Sequence, residues 1–146
     1  MSTAIALPAQ TDRRPLTASS DGGQLDILLA VSPSNARASY MPFYYLYLAG
    51  YIEKYGITCE IADPHFYTEK ENCDAILADI ARLKPRWVGL ACFCTDYVVV
   101  SDLAFAIKER FPAVKIMVGN AQPSVNPGDF LYEGSPFDLV VRGEGE

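Results

Sequence analysis

Three short segments of the chain concentrate the side chains that could bind a ligand. Residues 32–41 read S-P-S-N-A-R-A-S-Y-M, residues 92–96 read C-F-C-T-D, and residues 119–124 read G-N-A-Q-P-S. Hydroxyl groups, amides and glycine offer hydrogen bonds and close backbone approach, but they do not form a nucleophile–base pair. The pattern predicts a binding site for a large, mostly neutral ligand, with no catalytic residue.

The sequence also excludes several other classes of protein. The G-x-G-x-x-G dinucleotide fingerprint and the G-x-x-x-x-G-K-[ST] phosphate loop are both absent. A phosphoacceptor receiver needs an Asp where this chain has Ala91 and Cys92, and the single histidine, His65, leaves no credible Ser–His–Asp arrangement. The net charge of −6 argues against a nucleic-acid partner, because phosphate binding needs clustered Lys and Arg.

The cysteines and the apolar runs indicate the cellular setting. Four cysteines, at positions 59, 73, 92 and 94, are too few for a disulfide scaffold and suit a reducing compartment, so we expect a cytoplasmic protein. Cys92 and Cys94 lack a second cysteine pair, so we expect no metal site there. No apolar run reaches the roughly 18 residues that a membrane span needs.

The elements that must position these segments alternate between strands and helices. After a flexible tail over residues 1–24, the domain covers residues 25–146. Apolar runs predict strands at 25–31, 58–62, 87–91, 115–118 and 138–141. Helices are predicted at 42–55, from a Thr68–Glu71 capping box to before Pro85, at 97–111, and at 127–132 with Asn126 as its cap.

This alternation predicts an α/β fold: a flavodoxin-like, doubly wound, five-stranded parallel sheet with strand order 2-1-3-4-5 in three layers. Ligands of such sheets bind beyond the carboxyl ends of the strands, which is where the three segments lie.

Two features of the elements leave questions open. Tyrosines along the helix at 42–55 lie near one face, and core packing and an interface are equally compatible with them. We expect Gly50, in the middle of that helix, to allow close packing. The chain stops after the fifth strand, where a doubly wound sheet normally has another helix. We therefore expect a fragment of a longer polypeptide, or a homodimer that covers the exposed apolar face.

The chain resembles the N-terminal cobalamin-binding domain of radical SAM enzymes. The resemblance runs from Ile27 to Glu146 and rests on K-P-R-W-V-G-L at residues 84–90, on Thr95 and Tyr97, on Val118-Gly119, and on the closing R-G-E-G-E at residues 142–146. The family's S-x-L after the third strand corresponds to Cys92-Phe93-Cys94, and its Gly-Gly after the fourth strand corresponds to Gly119-Asn120.

The segments and the resemblance together predict the cofactor contacts. The predicted cofactor-binding residues are Ser34, Asn35, Ala36, Arg37, Cys92, Thr95, Tyr97, Gly119, Asn120, Ala121 and Gln122.

Two departures from the family qualify what the resemblance implies. Many cobalamin domains carry D-x-H-x-x-G after the first strand, and residues 32–41 contain no histidine, so cobalamin would bind without a protein His on cobalt. His65 lies in a similar D-P-H-F-Y-T string, but it follows the second strand. The C-x-x-x-C-x-x-C motif that holds a [4Fe–4S] cluster is absent, so the cluster and S-adenosylmethionine belong to a missing domain.

The resemblance therefore implies a cobalamin-binding module whose partner is the radical SAM barrel of the parent chain, acting in methyl transfer or related radical chemistry. The alternative is a cofactor-free flavodoxin-like scaffold or dimerisation domain. A lesser alternative is nucleotide or FMN binding by the serine-rich first loop.

Overall fold

The fold is built on one parallel sheet. The computed structural model describes residues 24–35, 42–64, 66, 68–143 and 145. Their strands are β1 (Ile27–Ala30), β2 (Cys59–Ala62), β3 (Trp87–Ala91), β4 (Lys115–Gly119) and β5 (Leu139–Val140). The strands pair in parallel in the order β2-β1-β3-β4-β5. The predicted flavodoxin-like α/β fold and its strand order are confirmed. Of the tail predicted at residues 1–24, residues 1–23 lie outside the described residues.

In the part of the chain that the structure describes, four α-helices connect and cover the strands: α1 (Phe43–Glu53), α2 (Glu69–Leu83), α3 (Tyr97–Arg110) and α4 (Ala121–Val125). Short 3-10 turns lie at Pro33–Asn35, Cys94–Asp96 and Pro127–Asp129. The predicted capping box is present, because Thr68 Oγ1 accepts from Glu71 N and Glu71 Oε2 accepts from Thr68 N, both at 3.2 Å. Among the described residues, no helix has both the length and the apolar character that a membrane crossing requires.

Successive side chains along each strand point to opposite sides of the sheet, and both sides are buried at the central strands β1 and β3. Leu28, Val88 and Ile116 lie in the larger core, beneath α2 and α3. Leu29 and Ala91 point to the other side, where Tyr45 and Ala49 of α1 cover them. The near-continuous apolar strands in the sequence are the consequence of this double burial.

The prediction for the segment after β4 was wrong. The expected helix at 127–132 is a 3-10 turn at Pro127–Asp129, and Asn126 makes no side-chain capping bond. The helix in this region is α4, which begins directly after Asn120. Pro123 fits there because the first turn of a helix has no intrahelical partner for its backbone N–H.

The helix α1 is apolar on nearly all sides. Tyr45 and Ala49 are buried. Phe43, Tyr44 and Tyr47 of α1, and Tyr55 in the turn that follows it, lie at the surface and are between 43% and 71% exposed. The exposed tyrosines do not belong to the core, so an interface remains the standing prediction for them. The expected close packing at Gly50 is wrong, because an added Cβ would meet nothing within 4 Å.

A charge cluster ties α3 to the amino-terminal ends of β4 and β5. Asp138 Oδ2 accepts from Lys108 Nζ at 2.6 Å and from Ile116 N at 2.8 Å, and Asp138 Oδ1 accepts from Lys115 Nζ at 2.9 Å. Burial alone would raise the pKa of Asp138, but these hydrogen bonds outweigh it and lower the pKa to about 2.

Acid is therefore expected to remove the stabilisation that Asp138 provides. The folded-state pKa lies below the unfolded value, so the contribution is complete above about pH 4 and is lost as the pH falls towards 2. With allowance for solvent screening it amounts to ~1 to 2 kcal/mol. Denaturant unfolding between pH 2 and 7 should show a shallower acid decline for Asp138→Asn than for wild type. The exposed control Glu109→Gln should retain the wild-type decline; equal declines in all three proteins would contradict the assignment.

Candidate ligand-binding site at the carboxyl edge of the sheet

The loops that follow β1, β3 and β4 are joined to one another by hydrogen bonds. Ser34 Oγ donates to Asp96 Oδ1 at 2.7 Å, which links the first loop to the second. Cys92 N donates to Gly119 O at 2.9 Å, and Gln122 N donates to Cys92 O at 3.2 Å, which links the second loop to the third. The described parts of the three segments singled out in the sequence, which exclude residues 36–41, therefore form one connected edge.

A buried carboxylate organises the hydroxyl groups of this edge. Asp96 is 2% exposed, and its Oδ1 accepts from both Ser34 Oγ and Thr95 Oγ1, the latter at 2.9 Å. Ser32 Oγ lies 3.0 Å from Ser34 Oγ. Asp96 occupies the N-cap position of α3, yet its side chain caps no backbone N–H of that helix. Aspartate is a good helix-capping residue, but the Asp96 side chain instead holds the loop after β1.

The helix α2 supports the same loop from the other side. Asn72, fully buried, donates from Nδ2 to Pro33 O at 3.1 Å and accepts at Oδ1 from Phe66 N at 2.9 Å. One amide therefore fixes the turn after β1 and the segment after β2 together. A buried amide needs such partners, because leaving it unpaired costs about 1 to 3 kcal/mol.

A cavity of about 510 Å³ lies on the α1 side of the sheet, beside the carboxyl ends of the central strands. Its floor is formed by β1, β3 and β4, where Gly89, Ala91 and Gly119 keep the surface low. The wall formed by α1 includes Tyr45, Leu48 and Ile52, and Asn120, Ala121 and Ser124 line the side near α4. The cavity exists because the middle strands carry small side chains here. A larger side chain at Gly119 would project into it.

The inner wall of the cavity is fixed by the hydroxyl of Tyr45. Tyr45 Oη donates to Ala30 O at 2.9 Å in a buried setting, and burial raises the pKa of Tyr45 well above its usual value. We expect Tyr45→Phe to lower the free energy of unfolding by about 1 to 2 kcal/mol, because the Ala30 carbonyl loses a buried donor. The measurement is urea unfolding, with the exposed Tyr55→Phe as control. A Tyr45→Phe protein as stable as wild type would refute the role of this hydrogen bond.

Asn120 has a backbone conformation that is normally reserved for glycine. Its φ is 88° and its ψ is −161°, and its Oδ1 accepts from Ala121 N at 2.6 Å. Asparagine tolerates the left-handed helical region, but this combination lies outside that region and is strained by about 1 to 3 kcal/mol. The Gly-Gly correspondence drawn from the sequence therefore has a backbone basis at Asn120.

The segment after β5 turns back along the cavity instead of leaving it. Gly143 N donates to Ser124 Oγ at 3.1 Å, and Arg142 Nε donates to Ser124 O at 3.2 Å. Gly143 and Gly145 have φ values of 76° and 81°, and both line the cavity. A Cβ on Gly145 would lie 3.3 Å from Val141 Cγ1 and 4.0 Å from Leu48 Cδ1. Gly143 and Gly145 of the R-G-E-G-E motif thus line the cavity, which the sequence alone did not indicate.

Six of the eleven predicted site residues lie on the connected edge or line the cavity. Ser34, Thr95 and Gln122 lie on the connected edge, and Gly119, Asn120 and Ala121 line the cavity. Cys92 and Tyr97 do not line it. Burial raises the pKa of the Cys92 thiol to about 12, and Tyr97 packs edge-on against Phe130 and donates to Asp129 O.

Asn35 ends a 3-10 turn on the edge, and Ala36 and Arg37 lie outside the described residues, as does His65. Within the described part of the chain, no group of three or more His, Cys, Asp or Glu side chains is arranged to hold a metal ion.

Sequence reasoning missed Asp96, Tyr45, Ser124 and the two closing glycines as parts of the site. Asp96 lies inside a segment that the sequence had already singled out, but nothing in its local sequence indicated the contact with Ser34. Tyr45 was hidden among several aromatic residues of one helix. Only the long-range contacts distinguish these residues from their neighbours.

A doubly wound parallel sheet with a cavity beside the carboxyl ends of its central strands defines a ligand-binding α/β domain. The chain belongs to the B12 binding domain family, whose profile matches residues 35–146. The resemblance to cobalamin-binding domains that the sequence suggested is confirmed at the level of the family.

Two curated proteins show similarity to part of the chain. A 2-(S-pantetheinyl)-carbapenam-3-carboxylate methyltransferase from Streptantibioticus cattleyicolor is 31% identical over 62 residues, which cover 42% of this chain and 9% of that enzyme. The cobalamin-dependent radical SAM methyltransferase TokK from Streptomyces tokunonensis is 28% identical over 64 residues, which cover 44% of this chain and 9% of that enzyme. The matched part of the chain thus spans a small fraction of these relatives.

Proposed function

We propose that this chain binds cobalamin at the carboxyl edge of its sheet and serves as the cofactor-binding part of a radical SAM enzyme, with methyl transfer or related radical chemistry carried out by a barrel domain of the parent chain. The observation that carries the proposal is the cavity beside β1, β3 and β4, in a chain of the B12 binding domain family.

The cavity suits one part of cobalamin. Cobalamin consists of a broad corrin ring and a nucleotide tail that ends in a flat aromatic base. The volume of about 510 Å³ and the apolar walls of Leu29, Leu48 and Met117 fit a flat base better than a charged group. Gly89 and Gly119 have no side chains to occupy the cavity, and this supports the fit of a flat base.

The connected edge above the cavity suits the corrin ring. The corrin ring carries primary amides around its rim and an apolar surface on each side. Ser34, Thr95 and Gln122 offer hydrogen bonds, and Phe93 and Val98, which are 39% and 70% exposed, offer apolar contact. These residues would hold the ring without a histidine on cobalt, since residues 32–41 contain none.

When bound, cobalamin supplies a cobalt centre for alkyl transfer or radical chemistry. The residues of this chain contribute binding and orientation. Asn72 and Asp96 hold the loop after β1 in place, and Tyr45 fixes the wall of the cavity.

The test is retention of the cofactor. Purified protein is incubated with hydroxocobalamin, desalted and examined by absorbance; near-stoichiometric retention of the corrin spectrum is expected, and its absence would overturn the proposal. The same experiment with FMN addresses the lesser alternative, and retention of FMN alone would favour it. His65→Ala should leave the retained spectrum unchanged, because we assign no cobalt ligand to His65.

A cofactor-free scaffold or dimerisation domain is the second candidate. The exposed aromatic residues of α1, Phe43 and Tyr47, favour an interaction surface, at 71% and 63% exposed. Sedimentation of the protein with and without hydroxocobalamin separates the two functions. A stable homodimer that retains no corrin would favour the scaffold, whereas a corrin-loaded protein of any oligomeric state would favour the cofactor-binding module.

A further inference from the structure

The hydroxyl hydrogens of Ser34 and Thr95 are both directed towards Asp96. A carboxylate only accepts hydrogen bonds, so Ser34 and Thr95 must donate to Asp96 Oδ1, at 2.7 and 2.9 Å. Because the Ser34 hydrogen is used in this way, Ser32 must donate across the 3.0 Å contact to Ser34 Oγ. The buried acid therefore sets the direction of every hydroxyl in the cluster.

This direction leaves only lone pairs on the outward side. Thr95 is exposed and Ser34 is half-buried, and each has its one hydroxyl hydrogen committed to Asp96. Among the described residues, no donor reaches Asp96 Oδ2, which adds a further unused acceptor to the buried cluster. The hydroxyl oxygens of Ser34 and Thr95 thus act as hydrogen-bond acceptors beside a buried negative charge.

We propose that Asp96 determines ligand specificity at this edge by making Ser34 and Thr95 acceptors, so that the site selects a ligand rim of primary amides over one that carries carboxylates. An amide N–H donates to such an acceptor. A carboxylate can only accept hydrogen bonds, so it has no donor to pair with at Ser34 or Thr95. Its negative charge is also repelled by Asp96. The inference rests on the proposed cobalamin function, because it is the amidated corrin rim that would meet these residues.

The experiment compares ligands that differ by one group. Hydroxocobalamin and three derivatives, each with a different single propionamide hydrolysed to a carboxylate, are titrated separately against wild-type protein by absorbance. We expect at least one derivative to bind about tenfold more weakly or worse, the loss corresponding to ~1.4 kcal/mol. In Asp96→Asn, which removes the negative charge but keeps one acceptor oxygen, the difference should fall to about threefold or less.

Two further variants keep the test decisive. Asp102→Asn, an exposed residue of α3, makes the same change of charge and should retain the wild-type discrimination. Thr95→Val removes one exposed acceptor and leaves Asp96 in place with its hydrogen bond from Ser34, and it should weaken the binding of hydroxocobalamin more than that of the discriminated derivative. It provides the answer even if Asp96→Asn fails to fold.

The outcomes separate this inference from the function on which it rests. Failure of wild type to bind any corrinoid would overturn the proposed function and the inference with it. Tight binding of hydroxocobalamin and of all three derivatives with equal affinity would overturn the inference alone. Discrimination that survives unchanged in both Asp96→Asn and Thr95→Val would also overturn it, since the selecting group would then lie elsewhere.

Discussion

Gly119→Val is expected to abolish the retention of cobalamin while the domain stays folded. Gly119 ends β4 on the cavity floor, and a valine side chain there would project into the space of about 510 Å³ that the ligand base needs. The new Cβ would lie 3.5 Å from Val141 Cβ, which is ordinary contact, and β-branched residues suit strands. We expect affinity to fall at least about a hundredfold, equivalent to ~2.7 kcal/mol.

The control for this substitution is Gly50→Ala on the outside of α1. An added Cβ there meets nothing within 4 Å, so binding should not change, and the better helix propensity of alanine should add up to about 1 kcal/mol of stability. Circular dichroism and thermal unfolding establish that both variants fold. If Gly119→Val bound hydroxocobalamin with wild-type affinity, the cavity would not be where the ligand sits.

Asn120→Gly is expected to stabilise the protein. The φ of 88° and ψ of −161° suit glycine, so the substitution releases strain of about 1 to 3 kcal/mol. Against this stand the loss of the bond from Ala121 N and the greater freedom of glycine in the unfolded chain, together about 1 kcal/mol. The net gain of about 1 kcal/mol should raise the melting temperature by roughly 3 °C.

Asn120→Ala supplies the matched comparison. Alanine has the Cβ that makes this backbone conformation unfavourable and lacks the side-chain acceptor, so it should be less stable than wild type. Opposite signs for the glycine and alanine variants identify the backbone as the cause. Cobalamin binding by Asn120→Gly should be at least as tight as that of wild type; weaker binding would show that the Asn120 side chain is itself a ligand contact.

The parts of the fold that could be predicted were those set by local pattern. Strand β3 lies at the predicted residues, and the Thr68–Glu71 capping box forms because its reciprocal bonds need only neighbouring residues. The helix α4 escaped prediction because the glycine, asparagine and proline between positions 119 and 123 have the composition of a loop.

The position of the three loops at the carboxyl edge of the sheet was predictable from the sequence, whereas the contacts between them were not. The rule that ligands lie beyond the carboxyl ends of parallel strands placed the three loops correctly. The role of Asp96 depends on a contact with Ser34, 62 positions away, which no local pattern contains. The buried position of Tyr45 was equally hidden, because α1 is apolar on nearly all sides and its sequence does not mark an inward face.

The edge contacts join residues that are far apart along the chain, and this has a consequence for folding. Ser34 and Asp96 are 62 positions apart, and Asn72 and Pro33 are 39 apart, so the hydroxyl cluster cannot assemble until β1 and β3 have paired and α2 has docked. Such non-local contacts form late, because chain closure over that distance must be completed first. A ligand held at this edge therefore recognises only the finished chain. Binding of the ligand would shift the equilibrium between the folded protein and its partly unfolded forms towards the folded protein. Slower amide hydrogen exchange across β1, β3 and α2 would detect that shift.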